Sequence, residues 1–169
     1  SEQFKHGQVK KSYLALVEKK AIKTPQTLKH WLKHLKRSNK TLVFDQEEVD
    51  TKSSELQFSV LGNTDKYQVL KINPITGRTH QIRAHMKHLG HAIFNDPRYG
   101  GDKILKGTIY NKYKQFVDNC FKILPRQALH AKTLGFIHPV TREKMRFNSD
   151  LPSDMVSCIE KWRNYSKNI

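Results

Sequence analysis

Short apolar runs are spread along the chain, and most of them predict β-strands. The segment KKSYLALVEK, Lys10–Lys19, has a mostly apolar, β-favouring centre and predicts a buried strand. The same pattern recurs further along, and a Gly-Asn-Thr-Asp turn at 62–65 joins two of the later strands as a hairpin. These later strands are Thr41–Asp45, Glu55–Leu61, Tyr67–Ile72, His91–Asn95, Ala128–His138 and Glu143–Asn148.

Other apolar residues recur at helical spacing. In TPQTLKHWLKHLKRSNK, Thr24–Lys40, four apolar residues follow a proline start and predict a short amphipathic helix. The apolar face would hold Leu28, Trp31, Leu32 and Leu35, and the wet face Lys29, Lys33 and Lys36.

The C-terminal half contains two further helical patterns. Pro152–Tyr165 predicts a closing helix, and Lys103–Ile123 predicts either a surface insertion or a helix from Lys112 to Asn119. No internal repeat, linker or domain boundary interrupts the chain. The elements together predict one α+β domain of several antiparallel strands with helices packed on them.

The charge of the chain points to a polyanion as partner. Lys and Arg number 31 against 15 Asp and Glu, so the net charge is 31 − 15 = +16, and the sequence pI is near 9.9. Nucleic acid is the commonest partner of such a chain, and a merely soluble basic surface is the plainer alternative. No run approaches the ~18 apolar residues of a membrane span, and Cys120 and Cys158 are expected to be free thiols in a cytoplasmic protein.

One stretch concentrates polar chemistry: NPITGRTHQIRAHMKHLGHAIFNDPRYGG, Asn73–Gly101. It predicts a helix from His80 to Leu89, with Thr79 as N-cap and Gly90 as its C-terminal stop. Ile82, Met86 and Leu89 would form the buried face of that helix. The free N–H groups at its start favour an anion, which Arg78 would help to bind.

Arg83 would lie beside the buried face of this helix. A partly buried guanidinium needs a carboxylate or phosphate partner. The local pattern leaves two interpretations open: a salt bridge that holds the helix to the sheet, and an arginine placed for chemistry.

The histidines of the same stretch do not predict a metal site. His85 and His88 are helix neighbours, but His91 lies beyond Gly90 and His80 points elsewhere, and no HExxH or CxxC motif accompanies them. These histidines are expected to be hydrogen-bonded groups on the helix surface or polar groups facing RNA, with no metal bound.

Three segments together resemble the RluA-type RNA pseudouridine synthases: KKSYLALV, the Asn73–Gly101 stretch, and ALHAKTLGFIHPVTREKMRFNSDLPSDM from Ala128 to Met155. They occur in that family's order and spacing, and the match is weakest in Ala21–Ser53 and Lys103–Pro125. The resemblance implies the pseudouridine synthase fold, a mixed, mostly antiparallel sheet with a basic cleft for RNA. It also implies cofactor-free isomerisation of uridine to pseudouridine in ribosomal or transfer RNA, with large-subunit ribosomal RNA as the favoured substrate.

The resemblance assigns roles to individual residues. Tyr13 matches the active-site tyrosine that lies against the uracil, and Arg83 matches the arginine that pairs with the catalytic aspartate. Leu129 matches an apolar residue near the base pocket. Arg78 and His80 are expected to bind phosphate or to support the loop, and RNA contacts are expected from Lys10, Lys11 and Thr79.

One part of the family pattern is missing, because no HRLDxxTSG-type motif with the nucleophilic aspartate occurs in the chain. Residues 1–169 are therefore expected to be the C-terminal portion of a catalytic domain and inactive alone, with sheet edges left unpaired. Arg83 would then lack its carboxylate partner and either lie exposed or bind a buffer anion. The alternatives are a basic RNA-binding module without catalysis and, more remotely, a histidine-rich metal protein.

Overall fold

The computed structural model describes residues 2–19, 26–64, 66–103 and 111–167 of the protein. These ranges contain seven strands and four helices. The strands are β1 Lys10–Glu18, β2 Gln26–Leu35, β3 Lys40–Phe44, β4 Lys52–Asn63, β5 Tyr67–Pro74, β6 Leu129–Ile137 and β7 Lys144–Asn148. The helices are α1 Glu2–Lys5, α2 Gln81–His88, α3 Asn111–Ile123 and α4 Ser153–Lys167.

All seven strands belong to one sheet in the order β3-β2-β4-β5-β1-β6-β7, and each neighbouring pair is antiparallel. The predicted α+β architecture is confirmed. β1 is a central strand, and its last four residues, Ala15–Glu18, are all buried, as its apolar run predicted. β3 and β7 are the two outer strands within the described part of the chain.

The core lies between the sheet and the helices. Leu16, Leu70 and Ile72 of the central strands are fully buried, as are Met86 of α2 and Trp162 of α4. The predicted closing helix is confirmed as α4, and the Lys103–Ile123 segment contains α3. Residues 104–110 of that segment, and Asp65 of the predicted turn, lie outside the described residues.

The predicted helix in Thr24–Lys40 is wrong, because Gln26–Leu35 is strand β2. Leu28 and Leu32 are four residues apart, a spacing that places them on one face of a strand as well as of a helix. β3 and β4 supply hydrogen-bonding partners on both sides of β2, and this pairing decides in favour of the strand.

Two smaller predictions are also corrected. His91–Asn95 is not a regular strand, since it makes one isolated bridge, Val17 to Ile93, and then turns. The N-cap of α2 is His80 in the left-handed region at φ 53°, not Thr79, and no side chain caps that end.

The predicted stop of α2 at Gly90 is confirmed. Gly90 has φ 81°, its N–H donates to the Lys87 carbonyl, and the N–H of His91 donates to the Met86 carbonyl. This hydrogen-bond pair is a Schellman motif, in which the left-handed residue is usually glycine.

Candidate active site

A cavity of about 300 Å³ lies where β1, β5 and β6 meet the start of α2. It contains six of the residues selected from the sequence: Lys11, Tyr13, Arg78, His80, Arg83 and Leu129. These six residues come from β1, from β6 and from the loop and first turn of α2, three segments that are far apart in the chain.

Tyr13 and Leu129 give the cavity an apolar side. Both are partly buried and pack against the core, and Tyr13 lies opposite Ala131 of β6 next to an irregularity in the β1–β6 register. The Tyr13 hydroxyl forms no hydrogen bond with any residue that the structure describes. An aromatic face with a free polar edge suits a planar, partly polar ligand such as a nucleobase.

Gln81, the first residue of α2, holds the loop before the helix in place. Its side-chain oxygen accepts hydrogen bonds from the Arg78 N–H at 2.9 Å and the Thr76 hydroxyl at 2.8 Å. Its amide donates to the Glu55 carbonyl at 3.0 Å, and Gln81 is only 4% exposed. The loop is therefore fixed to β4 by a buried amide, while Arg78 is exposed and donates from Nε to the Ser53 carbonyl.

Arg83 forms a bidentate ion pair with Asp96. Nε lies 2.8 Å from Oδ2 and Nη2 lies 2.7 Å from Oδ1, with the side chains 14% and 0% exposed. The hypothesis that Arg83 lacks a carboxylate partner and lies exposed is therefore wrong. The hydrogen bond with Asp96 is the main reason that the pKa of Arg83 is raised.

Arg83 still lines the cavity and keeps binding capacity there. A guanidinium carries five N–H groups, and the pair with Asp96 uses one on Nε and one on Nη2. The remaining three have no hydrogen-bond partner within the described ranges. The geometry leaves Arg83 able to bind a second anionic group.

Tyr99 supports both Arg83 and His80. Its ring lies under the guanidinium carbon at 5.1 Å, a cation–π contact. Its hydroxyl accepts from the Thr41 N–H at 2.9 Å and lies 3.0 Å from His80 Nδ1. Since the Tyr99 O–H needs an acceptor, it donates to Nδ1, which leaves the proton of a neutral His80 on Nε2.

Burial is the main cause that lowers the pKa of His80, followed by the positive charge of Arg83. His34 and Arg98 lower it further, and Asp96 opposes them. His80 is therefore neutral near pH 7 and acts as a hydrogen-bond donor on the cavity wall, not as a second cation.

The charge of the cavity comes from Lys11, Arg78 and Arg83. Burial lowers the pKa of Lys11. The Lys11 side chain lies against Gly77, since a Cβ added to Gly77 would be 3.1 Å from Lys11 Nζ. No carboxylate group of the described residues lines this cavity. An anionic ligand fits such a site, since no acidic group would repel it.

Two of the selected residues lie outside this cavity but beside it. Thr79 lines an adjoining cavity that shares Gly77 and Arg78 with the first. Lys10 lines another, which shares Lys11 and Pro74. The cavities form a connected surface on which basic side chains are frequent; we call it the basic surface: Lys10, Lys11, Lys36, Lys52, Lys71, Arg78 and Arg146.

Two histidines of the Asn73–Gly101 stretch, His85 and His91, differ from their predicted surface positions, whereas His88 is exposed as predicted. His85 is fully buried, and neither of its ring nitrogens has a hydrogen-bond partner in the described structure. His91 is buried as well, and its Nδ1 donates to the Glu18 carbonyl at 2.8 Å.

Sequence reasoning missed three supporting residues: Gln81, Asp96 as the partner of Arg83, and Tyr99. A signal existed for Gln81, because a glutamine three residues after Arg78 has the spacing of a reciprocal cap at a helix start. Nothing local connects Asp96 or Tyr99 to the helix, since they lie in the turn that follows it.

The fold and this site define a class: an α+β protein whose antiparallel sheet carries a cationic cavity with an aromatic wall, suited to nucleic acid. The chain belongs to the RNA pseudouridylate synthase family, since a sequence model of that family matches residues 1–88.

Curated relatives agree with this family. An uncharacterised RNA pseudouridine synthase of Chlorobaculum parvum is 34% identical over 164 residues, which are 96% of this chain and 50% of that protein. The ribosomal large subunit pseudouridine synthase C of Escherichia coli is 32% identical over 169 residues, covering 96% of this chain and 48% of its own. The chain thus spans about half the length of these relatives.

Solved structures share the fold. The human RNA Pseudouridylate Synthase Domain Containing 1 protein aligns with a TM-score of 0.67 and 25% identity, covering 93% of this chain and 61% of its own. The human Domain Containing 4 protein aligns with a TM-score of 0.69 at 20% identity, covering 96% and 65%. Within the described residues, no helix has the length and apolarity needed to cross a membrane.

Proposed function

We propose that this chain supplies the base-binding half of an RNA pseudouridine synthase site that acts on structured RNA in the cytoplasm, with large-subunit ribosomal RNA as the favoured substrate. The observation that carries the proposal is the cavity in which Tyr13, Arg83 and Leu129 meet. The RNA class rests on the Escherichia coli relative, which is named a ribosomal large subunit pseudouridine synthase.

In this proposal the target uridine leaves its stack and enters the cavity. Tyr13 lies against the uracil, with Leu129 on the apolar side, and the free Tyr13 hydroxyl reaches the edge of the base. Arg78, Lys11 and the Nε2–H of His80 bind the adjoining phosphates and polar edges. The glycosidic N–C bond breaks, the uracil turns, a C5–C bond to the sugar forms, and the C5 proton is released as N1 gains one.

Arg83 would orient the nucleophilic aspartate with the N–H groups that Asp96 leaves unused. A fixed guanidinium keeps a neighbouring carboxylate ionised and directed. Asp96 itself is unsuited to attack the sugar, since it is fully buried and both of its oxygens face Arg83.

We further propose that residues 1–169 are the C-terminal portion of the catalytic domain and that the nucleophile comes from outside them. The support is chemical: the cavity has three cations and, among described residues, no carboxylate. The chain also spans about half of its curated relatives, which leaves room for that group in the rest of their length.

Release of tritium from RNA labelled at uridine C5 tests both statements. The 169-residue chain alone is expected to bind the RNA but to release no tritium, and a longer polypeptide that adds the aspartate motif is expected to release it. Replacing Tyr13 by Phe in the longer form should reduce release at least ~100-fold if the hydroxyl takes part in proton removal. Turnover by the chain alone would contradict the external nucleophile.

The second candidate is a basic RNA-binding module without catalysis. No carboxylate of the described residues lines the cavity, and this favours a binding module, because such a module needs only the cations to hold RNA. The same assay separates the two functions, since a binder releases no tritium in either form while its affinity for RNA persists.

A further inference from the structure

A second polar cluster lies on the C-terminal half of α2, away from the cavity. It consists of His88 of α2, His30 of β2 and Asp45, which directly follows β3. Asp45 Oδ1 lies 3.1 Å from His88 Nε2 and 3.6 Å from His30 Nε2, and one ligand atom from each residue lies within 4.8 Å of the other two. Three elements thus place two imidazoles and a carboxylate around one point.

These distances suit a divalent transition metal. Zinc binds imidazole nitrogen and carboxylate oxygen at about 2.0–2.2 Å, so neighbouring ligands of a tetrahedral ion lie about 3.3 Å apart. The two measured distances lie on either side of that value. Two histidines and one carboxylate are also a common ligand set for such ions, with the remaining position open to water.

A third histidine, His85, packs beside the cluster. The His85 ring is perpendicular to the His30 ring, with centroids 5.0 Å apart, and is 0% exposed. Both nitrogens of His85 and Nδ1 of His30 are buried with no hydrogen-bond partner among the described residues. These nitrogens are not the ligand atoms of the cluster, so the case for an ion rests on His30 Nε2, His88 Nε2 and Asp45 Oδ1.

The local charge also favours a cation in an otherwise basic chain. Asp45 begins DQEEVD, an exposed hexapeptide with four of the 15 acidic residues. His88 is 33% and Asp45 78% exposed, so the cluster opens to solvent and an ion can enter.

We propose that His30, Asp45 and His88 bind one divalent transition-metal ion of the zinc type. The ion would connect α2, which carries Arg83 in its first turns, to β2 and β3. Its role would be structural: it would fix the helix that positions the cationic wall of the cavity. The sequence predicted no metal site because only the histidines in and around α2 could be compared as ligands. His30 comes next to them only because Gln26–Leu35 is a strand of the sheet and not the predicted helix.

Calorimetric titration of the untagged, chelator-treated protein with Zn²⁺ tests the proposal. We expect binding of one ion per chain and a higher melting temperature with zinc. Asp45→Asn and His88→Gln should each weaken binding more than the ~10–100-fold loss that changes next to a metal ligand cause. Asp45 is exposed, so its variant keeps the fold even if a change at His30 does not.

The control is His6→Gln. His6 is 64% exposed and lies 3.1 Å from Glu2, so it is a surface histidine with a carboxylate neighbour but no second histidine. This variant should bind zinc like the parent. Co²⁺ should give the visible absorption of a protein-bound ion in the parent and in His6→Gln only. No one-to-one binding, or equal affinity in the parent, Asp45→Asn and His88→Gln, would overturn the proposal.

Discussion

At the scale of single residues, the pair of Arg83 and Asp96 decides how a cation is held in the cavity wall. Replacing Asp96 by Asn keeps its shape but leaves the mostly buried guanidinium without a counter-charge. We expect a loss of about 3 kcal/mol in the free energy of unfolding, measured with urea, since breaking a buried pair costs roughly that much.

Asp154→Asn is the matched control for this variant. Asp154 pairs with Arg126 through the same two-bond geometry, but the two side chains are 30% and 38% exposed. Solvent screens such a pair, and its loss should cost at most about 1 kcal/mol. Equal losses in the two variants would contradict the buried role of Asp96.

His80 should make stability depend on pH. Its pKa is lowered in the folded protein, so as the pH falls below its ordinary 6.5 the unfolded chain binds a proton first and stability decreases. His80→Asn cannot titrate, keeps a polar group near the Nδ1 position and tolerates the left-handed backbone. Urea unfolding at pH 7 and pH 5 should show a smaller loss for this variant than for the parent; an unchanged difference would argue against a lowered pKa.

The sequence predicted which residues line the cavity better than it predicted how their charges are paired. The resemblance selected Tyr13, Arg83 and Leu129, which the fold brings together. It also led to the wrong prediction that Arg83 has no carboxylate partner, because the absent family aspartate was the one partner that the resemblance gave for it. Asp96 lies in the turn after α2, and that turn folds back on the helix and buries the carboxylate against Arg83.

At the scale of elements, β2 shows why local pattern is insufficient. Leu28 and Leu32 fit a helix and a strand equally well, and each is followed by a lysine, of which Lys29 is exposed and Lys33 partly exposed. The segment is a strand because it pairs with β3 and β4. The sequence of a single segment does not show which other segments it will pair with. Segments with unbroken apolar runs, such as β1, were predicted correctly because burial on both faces leaves fewer interpretations.

The turn that carries Asp96 depends on Gly101. The Gly101 N–H donates to the Asp96 carbonyl, and a Cβ on Gly101 would be 1.7 Å from the Ile93 carbonyl oxygen. Gly101→Ala should therefore destabilise the fold by about 2–3 kcal/mol through overpacking against backbone. At Gly135 the nearest atoms to an added Cβ are 3.7 Å away, so Gly135→Ala should cost much less in the same urea experiment.

At the scale of the whole molecule, the net charge predicts how RNA binding depends on salt. Each neutralised phosphate contributes about −0.7 to −0.9 to the slope of log affinity against log salt. Changing Lys10, Lys71 and Arg146 on the basic surface to Gln should make this slope shallower by about 2–3 if all three contact phosphate. Fluorescence anisotropy with labelled RNA at several salt concentrations measures it.

A variant of equal charge provides the comparison. Lys112, Lys114 and Lys122 lie on α3, away from the cavities that form the basic surface. Their change to Gln removes the same three charges and should leave the slope near that of the parent. The same decrease in both variants would show that net charge, not the basic surface, determines binding.

The position of β1 in the sheet also bears on the order in which the protein folds. β1 is the first strand in the chain, but its partners β5 and β6 come much later, whereas β2–β3, β4–β5 and β6–β7 pair neighbours in sequence. Distant pairings close long loops and are slow, and hairpins form early. Tyr13 lies on β1, so we expect its cavity to be completed among the last steps of folding, and ligand binding at Tyr13 would report the arrival of the native state.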